Sequence, residues 1–418
     1  MQTTLASEFT NTPAAQQAQA LLRRCVHCGF CTAVCPTYQL TGDELDGPRG
    51  RIYLIKQVLE GAAPTRETQL HLDRCLTCRS CESACPSGVE YGHLIDLGRT
   101  LVEGKVSRQP SEAWRRKLLR VGLTSSMLAP LFKPVARAAQ ALRGALPEDI
   151  QAKVPPRRAP GPWPKPLEDK RRARVLVLAG CVEPALAPAI GHATARVLAA
   201  AGIQAVFPRG QGCCGALCQH LADPEGARVQ MRANLDAWRP YLERGGVDAI
   251  ISDASGCALM LKDYGHLLAD DPRYALLAAQ VSTLARDLGE MLPVLTRALK
   301  DRVKPPSGML AYHPPCTLQH GQKLPGLVEK YLIQLGFKLR PAHEEAQMCC
   351  GAGGANVVLQ PTIATQLRER KLGYLLGPEP EEKPAAIVSA NIGCILHLQA
   401  GTDVPVRHWV EILDSALT

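Results

Sequence analysis

Aromatic residues make up only 4% of the 418-residue chain. Its cores must therefore be filled by small aliphatic side chains, and platforms for stacking nucleic-acid bases are scarce. No run of about 18 apolar residues is present, so no transmembrane helix is expected. Met1 to Thr12 has neither a charged n-region nor an apolar h-region, so no signal peptide is expected. There is no P-loop, and no GxGxxG follows a predicted strand. Gly351-Ala352-Gly353-Gly354 comes directly after a cysteine pair and reads as loop backbone around it. Nothing resembles a flavin site, and no acid–base pair stands out. The chain alone is not expected to oxidise an alcohol, because hydride or carbanion chemistry needs an organic cofactor.

Cysteine, by contrast, is plentiful. Seventeen cysteines in a chain of this length do not suit a disulfide scaffold, which belongs to short secreted domains. A reducing, cytoplasmic setting fits them. Eight fall in two copies of one string: Cys25-x2-Cys28-x2-Cys31-x3-Cys35-Pro36 and Cys75-x2-Cys78-x2-Cys81-x3-Cys85-Pro86. This is the bacterial ferredoxin spacing for [4Fe–4S] clusters, in which the fourth cysteine of each string crosses to the other cluster. The strings predict one cluster on Cys25, Cys28, Cys31 and Cys85, and a second on Cys75, Cys78, Cys81 and Cys35. Zinc is the alternative, but its C-x2-C pairs are separated by a dozen or more residues. His27 and His93 lie near the strings and read as surface or supporting residues, since the cysteine count is complete.

Length and a hydrophobic fraction of 46% predict two or three domains with real cores. We divide the chain into residues 1–100, with both strings; 101–172, a basic helical segment and linker; 173–304; and 305–418. Helices are predicted over Arg51–Glu60 and beyond Pro86, through Leu94, Ile95 and Leu97. From Lys105 to Arg143 nine Lys/Arg face one acid, Glu112, and apolar residues recur near helical spacing from Trp114 to Leu142, Leu128 among them. Residues 154–166 contain six prolines and read as a stiff linker.

From Arg174 the pattern turns α/β, with strands at Val175–Leu178, Ala205–Phe207 and Val247–Ser252. The same order follows again, with strands at Met309–Tyr312 and Ala386–Ser389. The cysteines repeat too. Cys181, Cys213-Cys214-Gly215 and Cys257 are separated by steps of 32 and 43; Cys316, Cys349-Cys350-Gly351 and Cys394 by 33 and 44. The fold class is thus multidomain α+β and α/β: a helical two-cluster ferredoxin-like domain followed by a duplicated α/β domain. All eight cysteines of the duplicate are placed in loops just after strands, where open α/β sheets hold ligands. Gly215 and Gly351 would give their loops access to positive φ. Buried thiols and structural zinc are the alternative reading. Cys218 has no counterpart and reads as a buried free thiol; His313, before Pro314-Pro315-Cys316, reads as a core or supporting residue.

The twice-present C-x31–33-CCG…C motif resembles the cysteine-rich CCG domain of heterodisulfide reductase, anaerobic glycerol-3-phosphate dehydrogenase, and lactate and glycolate oxidising complexes. The full heterodisulfide reductase motif ends in C-x-x-C; here the first of that pair is Ala254 or Asn391. The domain order, together with Asp46-Gly47-Pro48-Arg49-Gly50-Arg51-Ile52, is most similar to the iron–sulfur subunits of glycolate oxidase. The resemblance implies two [4Fe–4S] clusters, one or two further clusters on the CCG cysteines, no flavin in this chain, FAD-containing partner subunits, and electron delivery to membrane quinone. Glycerol-3-phosphate dehydrogenase and a heterodisulfide-reductase-like enzyme remain the alternatives. The net charge of +9 suits peripheral contact with the inner face of the cytoplasmic membrane, through the basic segment, better than nucleic acid. The other reading of that segment is a helix packed on the α/β domains with a solvated basic face.

Overall fold

The computed structural model describes residues 1–124, 129–147, 151, 154–165, 173–340, 345–377 and 383–418, with backbone only at 129–133. Leu128 of the expected apolar stripe and Pro166 of the linker lie outside the described residues.

The N-terminal part is helical. Helix Pro48–Leu59 starts on a proline whose fixed φ suits a first helical turn. It buries Ile52, Ile55, Val58 and Leu59 against helices Pro13–Arg23 and Tyr91–Glu103. Gly98 lets helices Pro48–Leu59 and Tyr91–Glu103 close up: a Cβ there would meet Ile55 Cδ1 at 2.5 Å.

Two parallel sheets follow. The first has strands β1 (Arg174–Leu178), β2 (Gln204–Val206), β3 (Ala249–Ser252) and β4 (Ala285–Asp287), in the order β2-β1-β3-β4. The second has β5 (Leu310–His313), β6 (Ala386–Ser389) and β7 (Val406–His408), in that order. The repeat therefore holds, with one difference. The second copy's counterpart of β2 is reduced to a single parallel bridge between Leu310 and Leu339.

Both faces of β1 are covered, which explains its continuous apolar run. Alternation sends Val175 and Val177 into a core shared with the second repeat, through Leu292, Leu310, Ile387 and Trp409. Leu176 and Leu178 face a separate core around Trp238 and Tyr264. The repeats are fastened together by polar contacts as well. Neutral His408, fully buried, uses both ring nitrogens: Nε2 donates to the Asp253 carbonyl at 2.8 Å and Nδ1 accepts from the Val410 N–H at 3.1 Å. Burial holds its pKa down at about 3.

Three arginines of the basic segment turn inward, while Lys105, Arg115, Lys117 and Arg137 stay exposed. Arg108 bonds Asp73 at 2.6 Å and Arg116 pairs with it at 3.4 Å, both arginines nearly buried; Arg120 pairs with Asp223 at 3.5 Å. Helix Pro110–Thr124 instead exposes Trp114, Leu118 and Val121, which share one face at i, i+4 and i+7. The proline-rich stretch has no regular structure from 154 to 165, as its composition predicts. It is pinned rather than free: Arg196 donates to Pro160 O and Pro162 O at 3.0 and 2.7 Å, and Arg158 pairs with Glu411 at 2.9 Å.

Candidate metal centres

The two ferredoxin strings adopt the same unusual backbone. The second residue after the first cysteine, His27 or Thr77, has φ near 60° or 52°; the fourth, Gly29 or Arg79, has 87° or 58°. A β-branched threonine in the left-handed region is strained. Such strain persists only where surroundings impose it, often around a ligand. Here the turn aims the Thr77 N–H at Cys75 Sγ (3.5 Å), while Val89 N–H reaches Cys85 Sγ at 3.5 Å.

Cys25, Cys28, Cys31, Cys81 and Cys85 line one cavity, with Pro48, Ile52, Val89 and Tyr91 among its other walls. Burial, then the hydrogen bond from Thr32 working against it, and the nearby Cys25 and Cys85 leave the Cys31 thiol pushed up to about 11. Cys35, Cys75, Cys78 and Cys81 are all buried. Burial and mutual proximity push Cys78 and Cys81 well above the ordinary thiol range. The structure places Cys25, Cys28, Cys31 and Cys85 around one cavity, which Cys81 also lines, and sets Cys35 and Cys75 beside Cys78 and Cys81; both sets of soft donors are of the kind that iron–sulfur clusters take.

The Asp46–Ile52 segment has a structural role at the second group. Arg51 is 1% exposed, donates to His71 O at 2.7 Å and Thr37 Oγ1 at 3.1 Å, and pairs with buried Asp46 at 3.6 Å. Burial opposes its charge, but Tyr91, Cys75, Cys35 and Asp46 more than offset this and raise its pKa. It is a fixed buried cation beside the thiols. Arg99 donates to the Cys75 carbonyl at 2.6 Å and to Leu72 O at 3.1 Å, anchoring the entry to the second string. His27 lines the rim of the first cavity from an exposed position, and His93 stacks on His266 beside Asp263.

In the duplicated domains the CCG loops match closely. Gly215 and Gly351 have φ of 94° and 91°, and each donates its N–H to the Sγ of the first loop cysteine at 3.4 Å. In the first repeat Cys181 neighbours Cys213, and Cys214 neighbours Cys257. In the second, Cys316 and Cys349 sulfurs are 3.7 Å apart and Cys350 neighbours Cys394. Each set of four is therefore brought together at the carboxyl ends of the strands. Cys257 and Cys394 differ from the loop placement expected: each sits in the first turn of a helix, Ser255–Leu267 and Ile392–Gln399. Asn391 donates to Cys394 Sγ at 3.5 Å. Cys218 is buried against Thr124 Oγ1 at 3.7 Å and stands apart from the four.

The repeats differ in charge, which spacing did not reveal. The first carries a buried acid pair, Glu183 and Asp253, whose pKa values burial pushes up and which share a hydrogen bond beside Cys257. The second carries Lys371, 2% exposed, its Nζ donating to Glu345 O at 2.6 Å near Cys350, Cys349 and Cys316. Lys371 lies ten residues beyond Pro361, where the first repeat has Asn234 ten beyond Pro224. His313 also lies in the second repeat, completely enclosed, with neither ring nitrogen hydrogen-bonded. Each such orphan costs about 1–3 kcal/mol.

The second string docks on the second repeat. Leu76 and Cys78 pack against Met348, Cys349, Ile363 and Leu367, with Cys316 at the edge. Ser83 and His320 bond at 2.9 Å. The two repeats meet through Ser255 Oγ and Thr317 Oγ1, 2.7 Å apart, next to Cys257 and Cys316.

Paired ferredoxin strings joined to two cysteine-rich α/β domains define a multi-centre iron–sulfur protein. Residues 21–89 match the 4Fe-4S dicluster domain, and residues 175–262 and 310–399 match the cysteine-rich domain. The chain is 48% identical over 421 aligned positions to the glycolate oxidase iron–sulfur subunit of Escherichia coli K12, covering 100% of this chain and 99% of that one. It is 28% identical to the probable glycolate oxidase iron–sulfur subunit of Bacillus subtilis 168, over 91% of this chain and 89% of that one. Lactate utilization protein A of Geobacillus kaustophilus is 27% identical over 54% of this chain and 92% of its own length. The chain belongs to the family of glycolate oxidase iron–sulfur subunits.

Proposed function

We propose that this chain is the electron-carrying subunit of a flavin-dependent glycolate, or 2-hydroxy acid, dehydrogenase. It would take electrons from FAD-containing subunits and deliver them toward membrane quinone. The observation that carries the reading is the continuity of thiol groups. They begin at exposed Cys28, continue through the buried Cys35/Cys75/Cys78/Cys81 group, and reach Cys316 and Cys349, which lie beside Cys78. On this reading Cys25, Cys28, Cys31 and Cys85 hold one [4Fe–4S] cluster, and Cys75, Cys78, Cys81 and Cys35 the other. Cys181, Cys213, Cys214 and Cys257, and Cys316, Cys349, Cys350 and Cys394, hold one or two more. Bound clusters of this kind supply reversible one-electron transfer. The chain's own residues exclude water, donate N–H groups to sulfur and set a buried cation, Arg51, and the buried Lys371 amine beside the thiols. The domain divisions at 100, 172 and 304 follow from the same reading.

Glycolate is supported by the 48% identical relative. Peripheral attachment at the cytoplasmic face of the membrane is supported by Trp114, Leu118 and Val121, exposed beside Arg115 and Lys117. Among the described residues no helix is long and apolar enough to cross a membrane.

Affinity purification from cells oxidising glycolate tests the reading. Flavoprotein subunits should accompany the chain, and Cys28→Ser or Cys78→Ser should abolish glycolate-dependent quinone reduction while glycolate still reduces an artificial dye. A chain that purifies alone, or variants that leave quinone reduction intact, would refute it.

A further inference from the structure

The second repeat departs from the first three residues before its lone cysteine. His313 stands where the first repeat has Leu178. His313 ends β5 and is 1% exposed, yet neither ring nitrogen finds a hydrogen-bond partner. The other buried histidines among the described residues are all satisfied. His320 bonds Ser83 and Gln347 O, His397 bonds Ala364 O, and His408 bonds Asp253 O and Val410 N. One His313 ring nitrogen and the sulfurs of Cys350 and Cys394 lie within 4.8 Å of one another. Neutral imidazole and thiolate are the donors that zinc and iron take together, and a metal at this point would occupy one of the two orphaned nitrogens.

We infer that His313 is a metal ligand, so that the second repeat holds a mixed histidine–cysteine centre, its imidazole joining a donor set drawn from Cys316, Cys349, Cys350 and Cys394. The first repeat, with Leu178 in that place, offers no imidazole there. The inference rests on the reading that the second-repeat cysteines carry a metal. Where the imidazole takes the place of one of the four thiolates at an iron centre, it removes one negative charge and raises the potential, as histidine does in Rieske clusters. The second repeat would thus be the more readily reduced of the two, at the point where Cys78 abuts it.

The test uses the full chain, purified anaerobically with whatever partners accompany it. Iron, sulfide and zinc are counted, and pulsed EPR is run on reduced protein with and without 15N-histidine; any bound zinc is read by X-ray absorption. Wild type should carry metal beyond the roughly eight irons of two cubane clusters, with a directly bonded imidazole nitrogen. His313→Leu should lose that nitrogen and part of the extra metal. His313→Cys should keep the metal, lose the nitrogen and show a lower potential, and it carries the test if the leucine variant does not fold. If wild type holds no metal beyond the two clusters, the loaded second repeat falls and the inference with it. If the repeat is loaded but the cysteine variant matches wild type in nitrogen signal and potential, only the histidine ligation is overturned.

Discussion

Gly351→Ala separates two demands that the CCG loop makes on its glycine. The first is conformational. At φ +91° an alanine is strained, by about 1–2 kcal/mol for an L-residue in left-handed space. The second is steric. A Cβ at Gly351 would lie 2.5 Å from Ala364 O and 2.9 Å from Leu367 Cβ. Neither neighbour can yield easily, one being helix backbone and the other fully buried, so overpacking adds about 1–3 kcal/mol. The control is Gly354→Ala. There φ is +61° and an added methyl would meet nothing within 4 Å, so only the conformational cost applies. We expect Gly351→Ala to lose about 2–5 kcal/mol and Gly354→Ala about 1–2 kcal/mol, from those same two costs. The displaced Leu367 packs on Leu76 and Cys78, and the Gly351 N–H bonds Cys349 Sγ. The first variant should therefore also lose metal from the second repeat. Chemical denaturation and iron counting of both variants measure this. Equal stability losses with equal metal contents would refute the steric argument.

Thr77→Gly should keep wild-type iron and equal or better stability, because glycine adopts φ 52° without strain. Thr77→Pro removes the N–H that meets Cys75 Sγ and locks φ near −65°, so iron and sulfide analysis should show about four fewer irons per chain. Asp73→Ala leaves Arg108 and Arg116 buried without their shared partner and should cost about 3–5 kcal/mol in urea unfolding. Burial works against ionisation of Asp73, but Arg108 and Arg116 outweigh it and hold its pKa below the ordinary carboxylate value. Its stabilisation is therefore complete above about pH 3.9 and fades as pH falls through the lower folded value, a loss Asp73→Ala should not share. Trp114→Ala with Leu118→Ala should leave unfolding unchanged, since both side chains are more than half exposed. It should weaken binding to anionic vesicles at least tenfold, as burying each residue is worth about 1.5–3 kcal/mol; unchanged vesicle binding would refute the membrane role of this face.

Most of the architecture could be read from the chain because two of its patterns are strict. Cysteine steps matched to one residue located the duplicate, and continuous apolar runs located β1, β3, β5 and β6. Strands β4 and β7 escaped notice because Ala285–Asp287 and Val406–His408 are three residues long and carry charge. They are strands through pairing with β3 and β6, not through their own composition. The charges of the basic segment were visible, but not their direction. Asp73 and Asp223 are remote in sequence, so nothing local says that Arg116 and Arg120 turn inward; Arg108 combines distant Asp73 with Glu103 only five residues away. The same holds for Glu183, Asp253 and Lys371, where one buried charge in a helix or loop has no periodic signature. His313 was conspicuous beside Pro314-Pro315-Cys316, but its orphaned nitrogens emerge only from packing.

The junction of Leu76 and Cys78 with Met348, Cys349 and Leu367 joins the early part of the chain to its last domain. Domains fold in order of synthesis, so the ferredoxin part leaves the ribosome long before its cover exists. During that interval the Cys78 face is bare. It is the stage at which iron–sulfur assembly machinery has open access to the second string, and also the stage at which oxygen does. Completion of the C-terminal repeat closes both opportunities at once, so translation speed and oxygen exposure should together set the fraction of chains that mature fully loaded.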